Sequence, residues 1–163
     1  MKPDNNFINE KYLIEIIFKN KNITRELIKE LDFEQIIKIA SSQLLLPLLY
    51  SKIKKNNKTK IFPKEFIEYL KNIYIINKNR NEKLMYEASL ISKSLNNKNI
   101  KHVFLKGTEY LKMGLYDDIG ERMIGDIDVL VDKEDLHRAS DILNNMGYKN
   151  NFNYKFWRTK HLP

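Results

Sequence analysis

The stretch Gly125-Asp126-Ile127-Asp128-Val129-Leu130-Val131 sets two carboxylates two residues apart at the mouth of an apolar run. Residues i and i+2 of a strand point to the same face, so both acids are expected side by side. Like charges that close repel, and the pair persists most easily with a cation between them. Asp126 and Asp128 are therefore candidate ligands for a divalent metal. Upstream, Lys106-Gly107-Thr108 follows a short apolar run, and Arg122 lies between the two motifs. A glycine directly after a strand lets backbone N–H groups approach an anion, and a following helix N-terminus adds its dipole. Lys106 and Arg122 can neutralise phosphate oxygens. The chemistry these residue types suit is phosphate transfer: Mg²⁺ held by paired aspartates, bridging a triphosphate and activating an incoming hydroxyl.

The elements that must position these residues change character near residue 100. Residues 7–95 read as helical. Phe7–Phe18 carries a broad apolar stripe, and Thr24 is placed to cap a helix over Arg25–Leu31. Asp32 is placed to cap the next, where Phe33, Ile36, Ile37, Ile39 and Ala40 recur at helical spacing. Pro47, inside the apolar run Leu44–Tyr50, starts or kinks a helix. After a polar connector at Lys54–Lys60, Pro63 precedes a long helix from Lys64 to about Leu95, ended by Asn96-Asn97-Lys98-Asn99. Then His102–Lys106 reads as a short buried strand broken by Gly107, and Thr108–Leu115 as a short helix. Tyr116–Gly125 reads as a loop and Asp126–Val131 as a second strand. Asp132 is expected to cap a helix over Lys133–Met146 that Gly147 ends, and Tyr148 to open a third strand. The expected fold class is α+β: a helical N-terminal region, 1–99, followed by a partial β-α-β-α palm, 100–163.

Bulk properties limit the alternatives. The chain has 163 residues, 42% hydrophobic and 31% charged, enough to bury a core. Five Gly and four Pro favour long regular elements over a loop-rich β fold. With no Cys there is no disulfide scaffold, thiolate zinc site or thiol catalysis. No apolar run approaches the roughly 20 residues of a membrane helix, and the polar start lacks a signal-peptide core, so no membrane partner is expected and a cytoplasmic location is the default. The net charge of +8 suits anionic partners, although Lys is spread along the chain with only a mild concentration at Lys52–Lys60.

Leu105-Lys106-Gly107, Tyr116, Arg122, Asp126-Ile127-Asp128-Val129-Leu130-Val131 and Gly147-Tyr148 together resemble the "KG … R … D-I-D-L-L-V … G-Y" pattern of the uncharacterised nucleotidyltransferase family in the polymerase-β-like superfamily. The motifs cover roughly 100–163, and 1–99 agrees only in general character. The resemblance implies metal-dependent transfer of a nucleoside monophosphate from an NTP to an acceptor, with release of pyrophosphate. It implies Asp126 and Asp128 as catalytic metal ligands, for Mg²⁺ or Mn²⁺, and Gly107-Thr108 as the turn that holds the triphosphate. The acceptor is open: a small molecule, a protein side chain or an RNA end. Gly107-Thr108 stands where many superfamily members have Gly-Ser, which keeps a hydroxyl, and the spacing to Asp126 is longer than in minimal enzymes. The superfamily also uses a third carboxylate on a later strand. Asp132, Asp135 and Asp141 fit that role poorly, and nothing acidic follows Asp141. The chain is therefore expected to be an N-terminal fragment, ending just past His161, and catalytically incomplete by itself.

Plainer readings stand beside these. Asp126 and Asp128 can be a turn acid and a solvent-facing strand residue, Lys106 a strand-end lysine, and Gly107 a strand stop. Arg122 can pair with Asp117, Asp118 or Glu121. His102 and His137 read as solvent-facing or partly buried polar residues. Phe152, Tyr154, Phe156 and Trp157 alternate with polar residues, as a core-facing strand does. The rival function is a non-catalytic nucleotide-binding or protein-interaction module that keeps the fold. A third is a helical partner-binding platform that the β part merely anchors.

Overall fold

The computed structural model describes residues 5–19 and 24–149, with side chains placed for 7–19 and 24–149. The order is α1 (Asn5–Ile14), α2 (Arg25–Lys29), α3 (Phe33–Ser42), α4 (Leu46–Lys55), α5 (Lys64–Asn96), β1 (His102–Leu105), α6 (Lys106–Lys112), β2 (Asp128–Val131) and α7 (Leu136–Asn145). α1 runs into a π-helical turn at Glu15–Lys19 that buries Glu15, Ile16 and Ile17, so the stripe over Phe7–Phe18 is not one regular helix. Helix starts follow local chemistry. Thr24 Oγ1 accepts from the Leu27 amide at 3.4 Å and Asp32 Oδ1 from the Gln35 amide at 3.1 Å. Each satisfies a first-turn donor that the helix itself leaves unpaired. Pro47 stands in the first turn of α4, where its missing N–H has no consequence. Asn99 adopts φ 56° just past α5, and the Ile100 amide returns to the Leu95 carbonyl at 3.0 Å.

α5 is 33 residues long, about 50 Å at 1.5 Å per residue. It serves two separate apolar clusters. The first gathers α1 to α4 around Phe66 and Leu70, near the helix start; Ile36, Leu49, Ile53 and Leu70 are fully buried there. The second lies near the helix end, where Ala88, Ile91 and Leu95 meet Ile100, Phe104 and Ala139. The buried positions of α5 between these clusters are Asn77 and Asn81.

β1 and β2 pair antiparallel, with His102 opposite Val131, Val103 opposite Leu130, Phe104 opposite Val129 and Leu105 opposite Asp128. The antiparallel pairing makes this an α+β arrangement. Phe104, Val129 and Val131 face the second cluster. Val103 and Leu130, on the other face, are more than half exposed. Asp128 shares that open face, because directly opposed residues of an antiparallel pair project to the same side.

Expected boundaries move at three places around the site, while the helices expected over Arg25–Leu31 and Thr108–Leu115 end earlier, at Lys29 and Lys112. The second strand begins at Asp128 rather than Asp126, so Asp126 and Ile127 precede the ladder. Lys106, not Gly107, makes the break after β1: it takes φ 52° and opens α6 directly, with Gly107 inside the helix. Asp132 makes no side-chain cap; a 3₁₀ turn at Lys133–Asp135 intervenes before α7. Gly147 ends α7 at φ 96°, as read from the sequence. Tyr148 and Lys149 belong to no element, and the rest of the expected third strand, with Phe152, Tyr154, Phe156, Trp157 and His161, lies outside the described residues. No single helix among the described residues is long and apolar enough to cross a membrane. α3 and α4 reach that threshold only together, and they meet at 119° and contribute to the first cluster.

Candidate active site

The strand-to-helix turn after β1 and the entry to β2 meet at one end of the ladder. Lys106 begins that turn with a positive φ, which an L side chain adopts at a cost of about 1 kcal/mol or more. Its ammonium reaches the Asp128 carboxylate at 3.0 Å. The hydrogen bond from Lys106 to Asp128, helped by the negative charge of Asp126, raises the Lys106 pKa, so the amine stays charged. Thr108, one turn into the helix and buried, donates its hydroxyl to the Asp126 carbonyl at 3.3 Å. Lys106 thus meets the side chain of one acid and Thr108 the backbone of the other.

Gly107 has a different reason for being glycine from the one its position suggests. A Cβ there would lie 2.3 Å from Ile124 Cγ2, so the glycine lets the first turn of α6 press against the segment leading to Asp126. Ile127 packs on the second cluster, Asp126 is exposed, and Asp128 is half-buried. The chain therefore alternates across 126–128 with the apolar residue inward, although only Asp128 is in the ladder. Among the described residues no three His, Cys, Asp or Glu side chains gather in one place.

The loop of residues 116–125 carries Arg122 and is fastened to the helices along its length. Asp117 takes Lys55 at 2.7 Å and Lys52 at 3.2 Å, and these two ammonium groups hold its carboxyl below the usual range. Burial pushes the Asp118 carboxyl up, but Lys78 at 2.8 Å, the Tyr74 hydroxyl and the Gly120 amide outweigh it and leave the pKa lowered. Glu121, almost fully buried, accepts from the Ser51 hydroxyl at 2.6 Å, with Lys52 at 3.9 Å. Lysines of α4 and α5 therefore serve these acids, in place of the local pairing that is the plainer alternative for Arg122. Arg122 is half-buried, and among the described residues its Nε has no hydrogen-bond partner.

A lysine, a glycine-bearing helix start and two acids converging beside an arginine-bearing loop is an arrangement suited to a polyphosphate and a cation. Comparison with known protein families decides the assignment: a family described as "Uncharacterised nucleotidyltransferase" matches residues 29–162. The chain belongs to this nucleotidyltransferase family. The match begins inside α2, so the family unit of this nucleotidyltransferase includes α3, α4 and α5 and not only the motif-bearing part. No curated protein and no solved structure matches it.

In this nucleotidyltransferase the residues that escaped sequence reading are Asn77 and Asn81. Asn77 Nδ2 donates to the carbonyls of Gly120 at 2.8 Å and Arg122 at 3.0 Å, and Asn81 Nδ2 to those of Ile119 and Arg122, both at 2.6 Å. Their neighbour Arg80 reaches the Gly125 carbonyl at 3.1 Å. One signal was available: both asparagines fall on the face of α5 that continues from Phe66 and Leu70 to Ala88 and Ile91, where polar residues are out of place.

Proposed function

We propose that this nucleotidyltransferase transfers a nucleoside monophosphate from an NTP to an acceptor, with Asp126 and Asp128 holding a divalent cation, Mg²⁺ or Mn²⁺. An acceptor hydroxyl oxygen forms a bond to the α-phosphorus and gives up its proton to solvent, the bond from that phosphorus to the oxygen bridging it to the β-phosphorus breaks, and pyrophosphate leaves. When bound, the metal neutralises the triphosphate and orients it. The donor set suits such an ion: two oxygen-only side chains, one exposed and one half-buried, leaving further coordination to phosphate oxygens and water, as Mg²⁺ prefers.

The chain's own residues then have separable tasks. Lys106, whose ammonium lies 3.0 Å from the Asp128 carboxylate, would supply a charged amine to the phosphates. Gly107 lets the helix start close against Ile124, and Thr108 fixes the Asp126 backbone relative to that turn. Arg122 is the second phosphate cation. Residues 100–163 serve as the catalytic core and 1–99 as the helical region beside it. The meeting of Lys106, Thr108, Asp126 and Asp128 at one end of the ladder supports this reading most directly.

Transfer from an α-³²P-labelled NTP by the full natural chain tests it. Asp126→Asn and Asp128→Asn each abolish transfer and weaken Mn²⁺ binding, whereas undiminished transfer in both refutes the metal role. A second reading, a nucleotide-binding module without turnover, draws on the same 3.0 Å contact, since Lys106 already neutralises one acid. Metal-dependent nucleotide binding with no transfer under any acceptor would favour it.

A further inference from the structure

Arg122 and Asp126 lie in a segment with no helix or strand of its own, so their position must be set from outside. Asn77 and Asn81 stand one helical turn apart on α5, 3% and 0% exposed, and each places two hydrogen bonds from its amide nitrogen on this segment. Both amides converge on one carbonyl, that of Arg122 itself. A primary amide has two N–H donors, and here both are used. Aspartate has the same shape and no donor. Glutamine has the donors but stands one methylene farther out. Arg80 holds the Gly125 carbonyl three residues downstream, so α5 fixes the chain on both sides of Ile124, whose side chain abuts Gly107.

We infer that Asn77 and Asn81 are positioning residues for the nucleotide: by gripping the Arg122 backbone they set its guanidinium against the triphosphate. This rests on the reading of Arg122 as a phosphate cation made above. It makes the middle of α5 part of the binding apparatus without contact to metal or acceptor.

Equilibrium binding of Mg-ATP to the full natural chain tests the inference, using Asn81→Asp, Arg122→Ala and the double variant, with thermal melting followed in parallel. Asn81→Asp keeps the volume and removes the donors. Each single variant is expected to weaken Mg-ATP about tenfold, and the double to bind no more weakly than Arg122→Ala alone. A misplaced arginine and a missing one are then equivalent, a coupling that general loss of stability does not produce. Asn77→Ala, which leaves both Asn81 hydrogen bonds in place, is expected to give a smaller loss with the same coupling, and serves if Asn81→Asp folds poorly. Additive losses, or unchanged affinity in the asparagine variants, overturn the inference. Wild-type binding that Arg122→Ala leaves unchanged overturns it while sparing the metal site. A wild-type chain that binds no Mg-ATP overturns it together with the nucleotide reading.

Discussion

Among the described residues the first apolar cluster gathers fourteen buried side chains from α1 to α5 and their connections, with Phe33, Phe62 and Phe66 in mutual ring contact at 4.7–6.4 Å. The second has six among the described residues, around a two-stranded ladder. Both are threaded on α5, yet the candidate site lies with the smaller one. A two-strand ladder with a thin core holds its geometry weakly by itself. What compensates lies between the clusters, where Asn77, Lys78, Arg80 and Asn81 tie α5 to the Arg122 loop by hydrogen bonds rather than apolar contact. The large cluster thus acts as a base from which polar arms hold the site. Directional bonds fix orientation, which apolar area does not.

Three substitutions sharpen or break this contrast. Leu49→Ala, at a fully buried position of the first cluster, is expected to cost about 2–5 kcal/mol, read by denaturant unfolding. A cost below about 1 kcal/mol would mean the large cluster is not the base. Gly107→Ala forces a methyl against Ile124 and is expected to cost about 1–3 kcal/mol. Combining it with Ile124→Ala should recover part of the loss, and strictly additive costs would contradict the close approach. Asp118→Asn gives the smallest effect. Its folded pKa is lowered, so its contribution is present above the unfolded value near 4 and is lost as pH falls through the folded pKa. The stability gap between wild type and variant should be flat near neutrality and close below about pH 4. A gap that widens on acidification would remove the Lys78 and Tyr74 contacts from the account.

Much of the helical half was legible because its signals are local. Thr24, Asp32, Pro47, Pro63 and the Asn96–Asn99 stop act within one turn of themselves, and each does so in the fold. The α+β order and the Lys106–Asp128 neighbourhood followed from motif order. What failed depended on distant partners. Gly107 reads as a strand stop until Ile124, seventeen residues on, is known to press on it. Asp126 reads as a strand residue until the short β1 limits the ladder to four pairs. Asp132 looks like a cap, but the chain turns through a 3₁₀ segment before the helix begins. Asn77 and Asn81 are two asparagines in a chain rich in them, and only burial sets them apart.

The asparagine pair also gives α5 a registry. An apolar stripe on a helix tolerates sliding by one turn, because one aliphatic residue replaces another with little loss. Moved by four residues in one direction, α5 would offer Met85 where Asn81 stands; moved in the other, Ile73 where Asn77 stands. Either slide leaves a buried carbonyl without a donor, at about 1–3 kcal/mol, and a slide of two turns removes both amides. Buried polar residues are known to act as register keys in helical assemblies. Here the key selects one axial setting of a helix about 50 Å long, and with it the distance between the two ends of the molecule.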